Sequence, residues 1–195
     1  YILVSIGVEG NSGGFGLKKI GIEIDSNNHI IVDKNGKTNL DNIYAVGDVI
    51  GPPWLAHVSS SEGLYVVEHI AKLSPKKIDY DCVPACTYSK PEIGSIGLSQ
   101  KILDERGIDY KVVKSFFNAN GKAVASDSTE GFIKILVSDK NQILGAHIIG
   151  SNATEMVSEF SLAMSNNLSV ENILNSIHPH PTFSEAIFET LMQLR

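Results

Sequence analysis

The segment from His178 to Glu185 (HPHPTFSE) contains the residue types that acid–base chemistry needs. An imidazole titrates close to neutral pH, so a histidine can take up and return a proton under physiological conditions. Pro179 and Pro181 each push the preceding histidine out of the helical region, so the next helix can begin only after Pro181. His180 is therefore predicted to project from a stiff connection, as a positioned base should.

Glu185 has two interpretations. Its carboxylate could accept a hydrogen bond from the other ring nitrogen of His180 and so fix the tautomer and orientation of the ring. Thr182-x-x-Glu185 also fits a capping box with Thr182 as the N-cap, and the spacing alone favours this second interpretation. A carboxylate has two oxygens, so one residue could serve in both ways. His178 is interpreted as structural, a half-buried histidine bonded to a backbone carbonyl.

A second motif runs from Thr38 to Asp48 (TNLDNIYAVGD), where a short apolar strand pattern ends in Gly47-Asp48 shortly before a predicted helix. Glycine lets a ligand approach the backbone, and a carboxylate at the end of a strand can bind sugar or ribityl hydroxyls. The N-terminus of the following helix suits an electron-rich ring. An isolated Gly-Asp pair is more often a plain turn, and the length of the motif favours the binding interpretation.

The elements that must position these residues follow from hydrophobic periodicity and turn signals. Strands are predicted at Tyr1–Ile6, Gly21–Ile24, Ile30–Val32, Ile43–Val46, Val83–Tyr88, Ile93–Gly97, Tyr110–Phe117, Gly131–Val137 and Ile143–Ile149. Helices are predicted at Ala56–Leu73, Ser99–Arg106, Ala153–Asn166, Ser169–Asn175 and Thr182–Leu194. Strands followed by a run of helices indicate an α+β fold, an antiparallel sheet with helices on one side.

A polar, proline-containing stretch at Ser74–Asp81 is the best boundary between two parts, residues 1–74 and residues 81–195. A strand pattern that begins at Tyr1 suggests that the chain is a piece of a longer protein. The apolar runs Gly145–Ile149, Met156–Met164 and Ala186–Leu191 are expected to exceed what the remaining helices can cover, which favours a dimer.

Composition excludes several classes of protein. Hydrophobic residues make up 43% of the 195 residues and charged residues 19%, which is typical of a globular protein. A net charge of −6 argues against nucleic acid or an anionic membrane as the main partner. The two cysteines favour a reducing intracellular compartment, such as cytoplasm, mitochondrial matrix or plastid. No metal site is expected, because the spacing of Cys82, Cys86, His178 and His180 fits no known zinc motif.

These motifs resemble the pyridine-nucleotide disulfide oxidoreductase family. The resemblance covers almost the whole chain, in the order TNLDNIYAVGD, GPPWLAHVSSSEG, TYSKPEIGSIGLS, NANGKA, EGFIKILVSDKNQILGAHIIGSNATEM and HPHPTFSEA. It implies a homodimer in which His180, hydrogen-bonded to Glu185 and followed by a cis His180–Pro181 bond, is the base. The residues that it implies for FAD are Asp48, Trp54, Leu55, Ala56 and His57, and the residue that it implies for NAD is Gly7.

Within the family, the resemblance is to the members that oxidise dihydrolipoamide carried by a 2-oxoacid dehydrogenase complex. His178 and the pair Phe183 and Ala186 favour this branch over the members that reduce glutathione or trypanothione. The family's arginine after the first glycine is replaced here by Val8, in the run Gly7-Val8-Glu9. The chain contains neither the glycine fingerprint for FAD nor a C-x4-C disulfide. By itself it is therefore expected to be inactive and empty of cofactor, a non-catalytic dimerisation module.

Overall fold

The computed structural model describes all residues from 1 to 195 and separates them into two units, Tyr1–Ile78 and Asp79–Arg195. In the first unit the main element is helix α1, Ala56–Ile70. Its buried side chains recur every fourth residue, which is the spacing of one helix face. They are Val58, Glu62 and Val66. This face holds the helix against the preceding polypeptide of its own unit.

The strands predicted in the first unit are not formed. Residues 1–6 have no regular secondary structure. The other predicted strands are reduced to the isolated bridges Ile24–Ile30 and Lys37–Tyr44, with short 3₁₀ turns at Leu17–Ile20 and Gly47–Ile50. A strand is stable only when a neighbouring strand satisfies its backbone groups, and these segments have partners over single residue pairs. The prediction of strands in the first unit was therefore wrong, because the pairing there does not extend beyond isolated bridges.

The second unit is built on one antiparallel sheet of five strands in the order β1-β2-β5-β4-β3. The strands are β1 (Ala85–Thr87), β2 (Ile93–Gly97), β3 (Lys111–Phe116), β4 (Gly131–Val137) and β5 (Ile143–Gly150). The helices are α2 (Gln100–Arg106), α3 (Gly121–Ala125), α4 (Ala153–Ser165), α5 (Val170–Leu174) and α6 (Glu185–Leu191). The predicted α+β architecture is confirmed. None of the helices is long and apolar enough to cross a bilayer.

The core of the second unit lies between the sheet and helices α4 to α6. Alternate residues of β4, Ile133 and Ile135, face these helices and are fully buried with Phe160 and Ile187. Lys134 points to the opposite face, where its Nζ bonds Oε1 of Gln100 at the start of α2. The core fixes the end of α5 and the start of α6, and so the segment between them that carries His180.

The three apolar runs that were expected to need a partner are covered within the unit. Most of their apolar side chains belong to the core, because one face of the sheet and the inward faces of α4 and α6 interdigitate. Leu162, on the outer side of α4, is the large apolar residue of these runs that stays exposed, at 64%. The argument for a dimer from surplus apolar sequence was therefore wrong, and any argument for a partner must rest on other observations.

Candidate active site

His180 and Glu185 meet in the connection between α5 and α6. Nδ1 of His180 lies 2.8 Å from Oε1 of Glu185, and the His180 side chain is 77% exposed. The peptide bond between His180 and Pro181 is cis, as the family resemblance implied. An ionised carboxylate accepts hydrogen bonds and cannot donate one, so Glu185 selects the tautomer of His180 that carries its proton on Nδ1. This tautomer leaves Nε2 with a lone pair and open to solvent.

The second oxygen of Glu185 organises the start of α6. Oε2 accepts a hydrogen bond of 2.8 Å from the backbone N–H of Thr182. The Thr182 hydroxyl donates to the carbonyl of Pro179 instead of capping the helix, and α6 begins at Glu185 with Ser184 as its N-cap. The prediction of Thr182 as N-cap was therefore wrong, because its hydroxyl is directed toward the carbonyl of Pro179. Only the glutamate half of the capping box is formed.

His178 differs from His180 in having both ring nitrogens engaged. Its Nδ1 lies 3.2 Å from the carbonyl oxygen of Ser176, and the predicted backbone contact is thereby confirmed. Its Nε2 lies 2.9 Å from Oε1 of Glu159 on α4, and its side chain is only 9% exposed. A ring held in this way has no nitrogen free to exchange a proton with a substrate. Of the two histidines, His180 is the one whose geometry suits a base.

The electrostatics of the connection keep Glu185 ionised. The Thr182 N–H makes the largest contribution to lowering the pKa of Glu185 below its ordinary value, followed by the hydrogen bond with His180. One turn later on α6, burial raises the pKa of Glu189, and the negative charge of Glu185 raises it further. An ionised Glu185 can stabilise positive charge on the His180 ring after proton uptake.

Two further residues, Asn120 and Phe183, hold this connection in place. Asn120 is 1% exposed, caps α3 by accepting from the N–H of Ala123, and donates from Nδ2 to the carbonyl of Thr182 at 3.1 Å. Phe183 is buried against Phe117 in an edge-to-face contact with ring centroids 5.9 Å apart. An N-cap pattern at Asn120 was present in the sequence, but its link to Thr182 spans 62 positions and has no local signal.

In the first unit, Gly47 and Asp48 lie in a tight turn. Gly47 has φ of +78°, and a Cβ at this position would lie 2.9 Å from Oγ of Ser59. Its N–H donates to Oε2 of Glu62 at 2.7 Å, a buried contact that ties the turn to α1. The Asp48 side chain is left exposed at the start of the turn. The sequence analysis did not identify Glu62. Its place between Val58 and Val66, on the buried face of the helix, was a signal that could have identified it.

The residues predicted for FAD lie at the N-terminus of α1. Leu55 is the residue preceding the helix, and Ala56 and His57 are its first exposed positions. The first N–H groups of a helix have no acceptor within it, so they suit an electron-rich ring or carbonyl edge. Trp54 is 41% exposed, and its ring centroid lies 6.3 Å from that of buried His29, which bonds to Asp25. Together with the Asp48 carboxylate, this arrangement fits a flavin.

Gly7, predicted to contact NAD, has a φ of +105° and open space where a Cβ would stand. The positive φ of the backbone requires glycine here, whereas the open space around the residue would admit a side chain. No neighbouring side chain of the first unit closes around Gly7. The structure therefore accounts for the residue type and leaves its contact with NAD a prediction.

The chain matches two family descriptions. Residues 83–191 match the dimerisation domain of the pyridine nucleotide-disulphide oxidoreductases, and residues 1–63 match the pyridine nucleotide-disulphide oxidoreductase family itself. The first of these matches covers more than half of the chain and coincides with the second unit, in which His180 and Glu185 lie.

Similar proteins point the same way. The chain is 41% identical over 189 residues to the mitochondrial dihydrolipoyl dehydrogenase of Caenorhabditis elegans, covering 96% of this chain and 38% of that protein. It is 39% identical to the dihydrolipoyl dehydrogenase of Bacillus subtilis, covering 97% of this chain and 40% of that one. The crystal structure of LpdA from Mycobacterium tuberculosis superimposes with a TM-score of 0.90 at 26% identity, covering 96% and 41% of the two chains. The chain thus spans about two fifths of these relatives, and it belongs to the pyridine nucleotide-disulphide oxidoreductase family.

Proposed function

We propose that this chain supplies the acid–base pair and the subunit interface of a dihydrolipoyl dehydrogenase, an NAD-dependent flavoprotein that reoxidises dihydrolipoamide. The observation that carries the proposal is the pairing of His180 with Glu185, which leaves Nε2 of an exposed imidazole free. The similarity to dihydrolipoyl dehydrogenases over nearly the whole chain supports the choice of substrate.

The proton step follows from this geometry. Thiolate, and not thiol, is the nucleophile in disulfide exchange, so a dithiol substrate must first lose a proton. Nε2 of His180 accepts that proton, and Glu185 stabilises the resulting imidazolium through Nδ1. The thiolate sulfur then attacks a disulfide, one sulfur of which leaves as a thiolate. That disulfide belongs to a part of the longer protein outside this chain.

We further propose that Asp48, Trp54, Leu55, Ala56 and His57 hold FAD, and that Gly7 meets NAD. The Asp48 carboxylate would bind ribityl hydroxyls, and the N-terminus of α1 would face the electron-rich part of the ring. When bound, FAD supplies the two-electron acceptor for the dithiol, and NAD receives the electrons as hydride. Residues 1–74 would then be the end of an FAD-binding domain, and residues 81–195 the interface domain.

The longer protein is proposed to be a homodimer, with each His180–Glu185 pair serving the disulfide of the other subunit. The match of residues 83–191 to a dimerisation domain supports this assembly. The partner that presents dihydrolipoamide is proposed to be a 2-oxoacid dehydrogenase complex. An intracellular compartment, whether cytoplasm, mitochondrial matrix or plastid, fits the two cysteines, which are not joined in a disulfide.

The decisive experiment compares substrates on the longer protein that contains this chain. NAD reduction by dihydrolipoamide is expected, whereas oxidation of a reduced nicotinamide nucleotide by glutathione disulfide or trypanothione disulfide is not. If the longer protein reduced only glutathione disulfide or trypanothione disulfide, it would belong to the glutathione- or trypanothione-reducing branch, and the proposal would be wrong. The 195-residue chain assayed under the same conditions is expected to be inactive, because it lacks the redox disulfide.

A further inference from the structure

His178 is held at both ring nitrogens. Oε1 of Glu159 lies 2.9 Å from its Nε2, and the carbonyl oxygen of Ser176 lies 3.2 Å from its Nδ1. The His178 side chain is nine-tenths buried, so water has little access to compete for these contacts. The two contacts therefore fix the orientation of the ring.

We propose that Glu159 and His178 together are positioning residues for His180. The inference rests on the proposed function, because His180 is the base only in that proposal. His178 would have no part in proton transfer to the substrate, since both of its nitrogens are occupied.

Glu159 and Glu185 attach the segment that carries His180 to two different helices. Glu159 lies in helix α4, whereas Glu185 lies at the start of α6. The connection that carries His180 is therefore tied at two points, to α4 through His178 and to α6 through the His180–Glu185 hydrogen bond. Phe188 of α6 packs beside the His178 ring at 5.9 Å between centroids. His178 and His180 are two positions apart in the sequence. An anchored His178 therefore limits the orientations that the His180 side chain can adopt.

Nuclear magnetic resonance of the 195-residue chain tests the tie to α4 without any assay of activity. In Glu159→Leu the ring resonances of His180 are expected to shift and broaden, because the connection loses its contact with α4. Glu159→Gln, in which an amide oxygen can still accept from the His178 ring, should shift them less. Glu155→Gln, one turn earlier on α4, is the control and should leave them in place. Ring resonances of His180 that are unchanged in Glu159→Leu would overturn the proposal.

Kinetics of the longer protein test the positioning role. Glu159→Leu is expected to lower kcat for dihydrolipoamide oxidation about tenfold with little change in KM, less than the ~100-fold that a displacement of about 1 Å can cost. Glu159→Gln, which keeps one hydrogen bond, should recover part of that loss. Unchanged kcat in Glu159→Leu would refute positioning. A longer protein without dihydrolipoamide activity would refute the proposed function instead, and the resonance experiment would still decide whether Glu159 and His178 hold the segment that carries His180.

Discussion

Glu185 contacts His180 and the backbone of Thr182 with different oxygens of one carboxylate, at 2.8 Å in each case. The same side chain therefore orients the imidazole and fixes the start of α6. A displacement of this side chain would therefore disturb both contacts together. The chemical and structural effects of changing Glu185 must for this reason be measured separately.

In the longer protein, His180→Gln is expected to reduce turnover of dihydrolipoamide by roughly 10²–10⁴-fold, the usual cost of losing a positioned acid–base group. FAD content and assembly should not change, because the ring is largely exposed and packs against little. Glu185→Gln should cost less, since an amide oxygen still accepts from Nδ1. His69→Gln, a histidine of α1, is the control. Steady-state kinetics that show near-normal turnover in His180→Gln would leave this histidine a structural role only.

The lowered pKa of Glu185 predicts a dependence of stability on acid pH. A carboxylate with a depressed pKa in the folded state stabilises the fold above its unfolded pKa, roughly 4.3, and loses that contribution as pH falls through the folded value. Glu185→Gln should therefore lower the Tm of the chain at pH 7, and the difference from the unmodified chain should shrink below about pH 4. Thermal melts by circular dichroism between pH 3 and 7 measure this. A difference that is constant with pH would exclude the ionic contribution.

Sequence reasoning succeeded where a signal was local. The His180–Glu185 contact spans five positions, and the start of the last helix is limited by Pro181. The sheet of the second unit was recognisable because strands such as Gly131–Val137 and Ile143–Gly150 are adjacent along the chain and pair directly. In each case the interaction lies within one or two neighbouring elements.

Contacts between distant positions could not be predicted. Glu159 and His178 are 19 positions apart, and Asn120 and Thr182 are 62 apart. No period or turn signal links such pairs, since only the folded core brings them together. The strands predicted in the first unit failed for a related reason: β propensity describes a segment, whereas a strand requires a partner.

Asn120→Ala is expected to destabilise the second unit by about 1–3 kcal/mol, because it removes the cap of α3 and leaves the part-buried Thr182 carbonyl without its donor. Asn120→Asp keeps the capping oxygen but sets a second acceptor against that carbonyl, so it should also be destabilising. Asn118→Ala, at an exposed position nearby, is the matched control. Urea denaturation gives the three free energies of unfolding. Equal values for Asn118→Ala and Asn120→Ala would show that the buried amide contributes nothing.

Ile177 is 98% exposed, although it is a large apolar side chain next to His178. If the dimerisation domain pairs with a second copy, a side chain of this kind belongs at the isologous contact. Ile177→Asp should therefore weaken self-association by at least tenfold, since burying a carboxylate at an apolar contact costs more than about 1.4 kcal/mol. Sedimentation equilibrium measures the change, and Ile20→Asp in the first unit is the control. Equal dissociation constants for both variants would place Ile177 outside the contact.

The 195-residue chain is expected to bind FAD no more tightly than micromolar, about −8 kcal/mol. In the proposed site, Asp48 and the N-terminus of α1 would contact the ribityl chain and the ring. The chain has no G-x-G-x-x-G run to hold the pyrophosphate, which carries the largest charge of the cofactor. Flavin fluorescence during titration with the chain should therefore show weak quenching that Asp48→Asn abolishes, with Asp41→Asn as the exposed control. Protein that is yellow and stoichiometric in FAD after purification would show that the contacts of the first unit are sufficient by themselves.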